Sequence, residues 1–287
     1  MNFYKSTVYS IILFLTAGLL GMAQAQTAEY QQDGMTFGMP EAEVYTEEYD
    51  GAPVVGEYVT MLPELKPLDY EGNKHHEVRI DVLVQEIEVA PGVRYQAWTF
   101  GGTVPGPVLH VREGDRITFT MKNRSNETIT ITEPSKEGAP FMQQVAQNAY
   151  QKPKGASMPM PHSMDFHAGT VAKDDKWRSI GPGQTIKFDW VANYPGSYIY
   201  HCGTPSVLMH TAMGQHGLVV VSPKDGYETD DKVDKEYAIV QSEYYLREGP
   251  GDLHQYDNEA AENRKPSQVV FNGHTKVLHE QPLKAKA

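Results

Sequence analysis

The chain has 287 residues and a formal net charge of −12, with 37 Asp and Glu against 25 Lys and Arg. That length fits one large or two medium domains, and the acidic balance argues against a nucleic-acid partner, because phosphate binding wants a basic face. A lone cysteine rules out an internal disulfide, so the thiol serves another purpose.

The N-terminus reads as a leader over residues 1–25. Lys5 supplies the positive start, an apolar run centres on Ile11-Ile12-Leu13-Phe14-Leu15, and Ala23-Gln24-Ala25 is an A-x-A cleavage site. The run is short for a membrane span, and no cysteine follows it to carry a lipid. Export to the periplasm is expected, with no membrane attachment after cleavage. Residues 26–75 are acidic and poor in apolar periodicity, which predicts an extended arm.

From His76 the strand signals begin. Residues 78–84, 95–100, 108–111 and 116–121 read as strands, with Gly101-Gly102 and Pro105-Gly106-Pro107 marking a turn. Residues 124–161 form a long polar insertion of the kind that carries function or moves. Further strands are predicted at 185–190, 196–200 and 217–221, closing a first domain over 76–226. Short strands at regular spacing with Gly/Pro punctuation predict an all-β sandwich or small barrel.

Residues 227–287 read as a linker and the start of a second domain, with a strand at 237–243. Val269-Val270-Phe271-Asn272-Gly273 resembles Trp98-Thr99-Phe100-Gly101-Gly102, and the segment from Pro282 resembles that from Pro107. The second copy stops at Ala287, where the first continues into Glu113-Gly114-Asp115, so the repeat looks cut short and a longer natural chain is expected.

The chemistry concentrates in two segments. Cys202 follows His201 at the end of a strand-like run, with His210 eight residues on and Gln215 beyond; upstream lies His162-Ser163-Met164-Asp165-Phe166-His167. A thiolate, two imidazoles and a weak fourth ligand make a blue-copper site. His162, Cys202 and His210 are the predicted set, with Gln215 and Met213 competing for the axial place. The alternative is a buried structural thiol beside incidental histidines. Strand parity puts His167 and His201 on the opposite face from His162 and Cys202. They are candidates for a second copper, with Asp165 able to carry a proton. The His201-Cys202 peptide would then join the two metals.

These segments resemble the copper-containing nitrite reductase family. The resemblance runs from about Val78 to the end and rests on residues 97–107, His162 to His167, Tyr200-His201-Cys202, Pro223-Lys224-Asp225-Gly226 and residues 270–273. It implies two cupredoxin-type Greek-key β-sandwich domains per subunit, a homotrimer, and a place in denitrification. It implies type 1 copper on His162, Cys202 and His210, type 2 copper on His167 and His201, and a catalytic Asp165. The implied reaction is one-electron reduction of nitrite to nitric oxide, with electrons from a small cupredoxin or cytochrome c. The family's usual axial methionine falls where this chain has Gln215, which the flanking Gly214 and Gly217 favour over Met213. The family's third type 2 histidine and second catalytic histidine belong to later sequence. Two other readings remain: a type 1 blue-copper electron carrier, and a laccase-like multicopper oxidase. Against the latter, Gly203 follows Cys202 where a His-Cys-His bridge would need histidine.

Overall fold

The computed structural model describes residues 12–13, 39–61, 63–127, 159–280 and 282–283. Nearly all of the expected leader, much of the 124–161 insertion and residues 284–287 lie outside them. In chain order the strands begin with β1 (Ile12–Leu13), β2 (Glu43–Thr46), β3 (Val54–Val55), β4 (Val59–Thr60), β5 (His75–Ile80), β6 (Val82–Ala90) and β7 (Val93–Phe100). Then come β8 (Val108–Arg112), β9 (Arg116–Lys122), β10 (Asp165–Phe166), helix α1 (Lys173–Lys176), β11 (Gln184–Val191) and β12 (Gly196–His201). Helix α2 (Val207–Ala212) leads into β13 (His216–Ser222). The remainder comprises β14 (Ile239–Tyr244), β15 (Leu246–Arg247), β16 (Gln255–Tyr256), α3 (Asn258–Glu262), β17 (Gln268–Phe271) and α4 (Val277–Glu280).

Two five-stranded sheets, ordered β10-β12-β13-β8-β4 and β2-β11-β9-β5-β3, face each other in an all-β, cupredoxin-like sandwich. Their inner faces meet in one apolar core containing Phe119, Phe166, Phe188, Trp190, Tyr200 and Cys202. The Phe166 ring stacks on Trp190 at 4.9 Å and meets Phe119 edge-on at 4.8 Å. Such aromatic pairs add about 1 kcal/mol each beyond their buried area.

The segment read as an arm does more than extend. Its strands β2, β3 and β4 close the edges of both sheets, pairing with β11, β5 and β8. The predicted strand over 78–84 is two strands split at Asp81. That carboxylate is fully buried, ion-paired with Arg79 at 2.9 Å, and accepts hydrogen bonds from Arg124 at 3.3 Å and the Lys122 amide at 3.0 Å. Burying a charge is tolerated only with such partners, and satisfying them turns the chain from β5 into the β6–β7 hairpin.

The internal repeat has a backbone counterpart. Gly101 and Gly102 (φ +66° and +89°) close a turn in which Phe100 bridges Thr103; Asn272 and Gly273 (φ +50° and +88°) close one in which Phe271 bridges His274. Around the second turn, β14 and β17 form an antiparallel pair whose other edge carries Ile12–Leu13.

Candidate metal centre

The strand register builds the site. β12 runs antiparallel to β13, pairing Tyr200 with Gly217 and His201 with His216, and β10 pairs Asp165 with His201. Just beyond β12, the Cys202 amide donates to the Gln215 carbonyl at 3.2 Å. His162 enters through a two-bond bridge to Ile180. His210 sits in the last turn of α2. Sequence parity treated 162–167 as one strand; only Asp165–Phe166 is regular strand, yet the two histidines still end in separate clusters.

The first cluster is His162, Cys202 and His210, all buried. The His162 and His210 Nδ1 atoms are 3.2 Å apart, and His210 Nδ1 is 3.3 Å from Cys202 Sγ and 3.0 Å from Gln215 Oε1. Two ring nitrogens, a thiol and an amide oxygen thus converge on one point in the core. A single hydrogen atom cannot satisfy so many lone pairs, whereas a soft metal ion accepts all of them. The Gln215 side chain is fully buried and its Nε2 has no partner. Met213 lies elsewhere: its side chain packs on the cluster of Ile87, Tyr95 and Tyr244.

Electrostatics prepare the thiol for a cation. Burial pushes the Cys202 pKa up, but His162, His210 and Thr204 outweigh it and bring it to about 5. The neighbouring imidazoles thus favour the thiolate, which is the ligand form. The Ser163 amide points at Cys202 Sγ from 3.4 Å, and Ser163 Oγ accepts from the Gly203 amide at 2.9 Å. Trp98 covers the cluster, its ring 4.8 Å from that of His210 and 5.5 Å from that of His162. Ser163 and Trp98 escaped the sequence reading because neither residue type marks a metal site; only the fold brings them there.

The second cluster is Asp165, His167 and His201. The two Nε2 atoms are 3.1 Å apart, and Asp165 Oδ2 is 3.5 and 3.6 Å from them. His201 Nδ1 lies 2.9 Å from the Cys202 carbonyl. A carbonyl only accepts, so Nδ1 carries the hydrogen and Nε2 presents its lone pair to the cluster. The hydrogen bond that His167 gives to the Asp165 carboxylate raises the His167 pKa, against a smaller opposing effect of burial. Asp165 Oδ1 is buried without a partner. His167 is half exposed, so this cluster opens to solvent where the first is closed.

Other histidines serve the fold. His76 is buried and bonded to Asp115 at 2.8 Å. His110 is satisfied by the Lys66 carbonyl and Ser222 Oγ, both at 2.9 Å.

The chain is similar to known copper proteins. Over 240 residues, 82% of this chain and 53% of the relative, the sequence is 33% identical to a copper-containing nitrite reductase of Neisseria gonorrhoeae. The chain is related to the copper-containing nitrite reductases. It spans about half the length of the curated relatives it matches. A solved copper nitrite reductase from Nitrosomonas europaea superposes with a TM-score of 0.51 at 32% identity, covering 71% of this chain and 57% of that one. A multicopper oxidase structure shares the fold, with a TM-score of 0.52 at 22% identity over 79% of this chain and 61% of its own. A multicopper oxidase family model matches residues 81–139.

Proposed function

We propose that this chain is the catalytic part of an exported copper nitrite reductase, which converts nitrite to nitric oxide and water with one electron and two protons. One observation carries the proposal: two donor clusters, one buried and thiolate-containing, one open and bearing a carboxylate, joined by the single peptide between His201 and Cys202. Copper held by His162, Cys202, His210 and Gln215 as a type 1 centre, and by His167 and His201 as a type 2 centre, would supply the one-electron chemistry. The residues divide the remaining work. Trp98 and the surrounding core keep water from the thiolate. His201 is fixed in one tautomer by the Cys202 carbonyl. Asp165 stands between the two imidazoles with a free oxygen, where it can hold a proton and pass it to a substrate oxygen.

The open cluster offers two imidazoles, whereas a catalytic site takes three protein ligands and leaves one position open. We assign the third to the later sequence of a neighbouring copy in a homotrimer. The net charge of −12 fits a donor with a basic contact face, a small cupredoxin or cytochrome c.

The test is anaerobic nitric oxide release from nitrite by the copper-loaded full-length protein with a reduced artificial donor. Turnover that falls in Asp165→Asn is expected. A protein with an intense thiolate-to-copper absorption that reduces no nitrite is an electron carrier instead.

A further inference from the structure

Cys202, His210 and Gln215 account for one side of the ligand loop; its other side is held by residues with no place in the copper reading. His216, next to Gln215, turns its ring the opposite way and is buried. Its Nδ1 lies 3.2 Å from the Thr211 carbonyl, one of the last carbonyls of α2. That carbonyl, beyond the reach of an intrahelical donor, also accepts the Gly214 amide at 3.0 Å. Because a carbonyl can only accept, Nδ1 carries the hydrogen, and Nε2 accepts from Ser242 Oγ at 2.8 Å. Ser242 lies on β14, 2% exposed, with its hydroxyl aimed at the ring.

The same face of β14 reaches the loop again. Burial alternates along the strand, so Val240, Ser242 and Tyr244 point inward together. The Tyr244 ring packs edge-on against Tyr95 at 5.6 Å, and Tyr95 Oη donates to the Met213 carbonyl at 3.2 Å. The Trp98 amide donates to that carbonyl at 3.0 Å. The Thr211 carbonyl is thus tied to β14 through His216, and the Met213 carbonyl to β7, on which Tyr244 packs, while Gln215 Oε1 stays 3.0 Å from His210 Nδ1.

We infer that Ser242, acting through the His216 imidazole, is a positioning residue that fixes the 210–216 loop and so sets how closely Gln215 approaches the metal. The inference rests on the copper reading of the first cluster. It places the control of that centre partly on a strand outside the sandwich, in the segment bearing the second turn.

The experiment uses the copper-loaded full chain. Ser242→Ala removes the hydroxyl and leaves the His216 acceptor bare; Ser242→Thr keeps it. Val240→Ala, on the same face but within a separate apolar cluster that includes Val108 and Leu218, is the stability control. Loss of an outer hydrogen-bond partner typically weakens metal retention 10–100-fold. One link removed from a ligand, Ser242→Ala is expected to release copper to a competing chelator roughly 10-fold more readily, with displaced thiolate-to-copper absorption and reduction potential. Ser242→Thr restores all three, and Val240→Ala lowers the unfolding midpoint without moving the absorption. Wild-type absorption and potential in Ser242→Ala overturn the inference, as does an equal displacement in Val240→Ala. A wild-type chain that takes up copper without any thiolate absorption overturns the underlying reading, a result distinct from both.

Discussion

Among the described glycines, Gly217 is the one where an added methyl group would come closest to another atom. It pairs with Tyr200 across β12 and β13, and a Cβ there would lie 2.1 Å from Tyr200 Cζ and 2.2 Å from its hydroxyl. No rotation of the ring relieves this, because Tyr200 is fully buried, packed on Phe100 and Phe166, and bonded to the Pro107 carbonyl at 2.6 Å. In Gly217→Ala the tyrosine must leave its pocket, or β13 must move and take Gln215 with it. Overpacking a core costs about 1–3 kcal/mol, and stranding the buried hydroxyl and carbonyl adds about 1–3 kcal/mol. The total is about 4 kcal/mol, close to a thousandfold in the unfolding constant. Guanidinium unfolding of the metal-free protein measures it, and a double-mutant cycle identifies the cause. Tyr200→Leu removes the ring that the new methyl strikes, so Gly217→Ala should cost at least 2 kcal/mol less in that background than in wild type. A cost below about 1 kcal/mol in wild type, or no coupling in the cycle, would refute the reasoning.

Asp115 is fully buried and, against the upward push of burial, is held below its ordinary pKa of 3.8 by hydrogen bonds from His76, Tyr70 and the Lys74 and Arg112 amides. Its stabilisation is therefore complete above the unfolded value and lost as pH falls through the folded one. Asp115→Asn should cost about 3 kcal/mol at neutral pH and flatten the acid limb of a stability–pH curve; an unchanged limb assigns acid sensitivity elsewhere. Gln215→Met should raise the reduction potential of the buried centre, since a thioether binds more weakly than an amide oxygen; an unmoved potential and absorption spectrum remove Gln215 from the metal. Asp165→Asn should lower the His167 pKa, which the carboxylate holds up, and NMR titration of the metal-free protein reads this directly.

The strands from Tyr95 to Val221 were legible because β-branched and aromatic runs are bounded by Gly and Pro, and even fully buried β13 reads as a continuous apolar run. Strands β2, β3 and β4 were not. They are two to four residues long and exist through partners distant in sequence, as when Thr46 pairs with Gln184. The break at Asp81 was hidden because two of its three partners, Lys122 and Arg124, lie 41 and 43 residues away. In the site, each donor announced itself by residue type. Ser163, Trp98 and Ser242 did not, because a serine or tryptophan acquires its role only from what the fold sets against it. The burial of His76 is equally illegible, since its carboxylate partner Asp115 lies 39 residues away.

The way the first cluster is anchored bears on how it acquires its ion. Cys202 and Gln215 are tied by a backbone bond between adjacent strands, His162 by its bridge to Ile180, and His210 by a helical turn bonded to Ser206. None of these ties involves a metal. In small zinc domains the chain is disordered until the ion arrives, so affinity and folding are one quantity and chelators denature the protein. Here the donors are assembled by the sandwich itself. Copper should enter a folded protein, leave one behind when chelated, and find nearly the same geometry in either oxidation state.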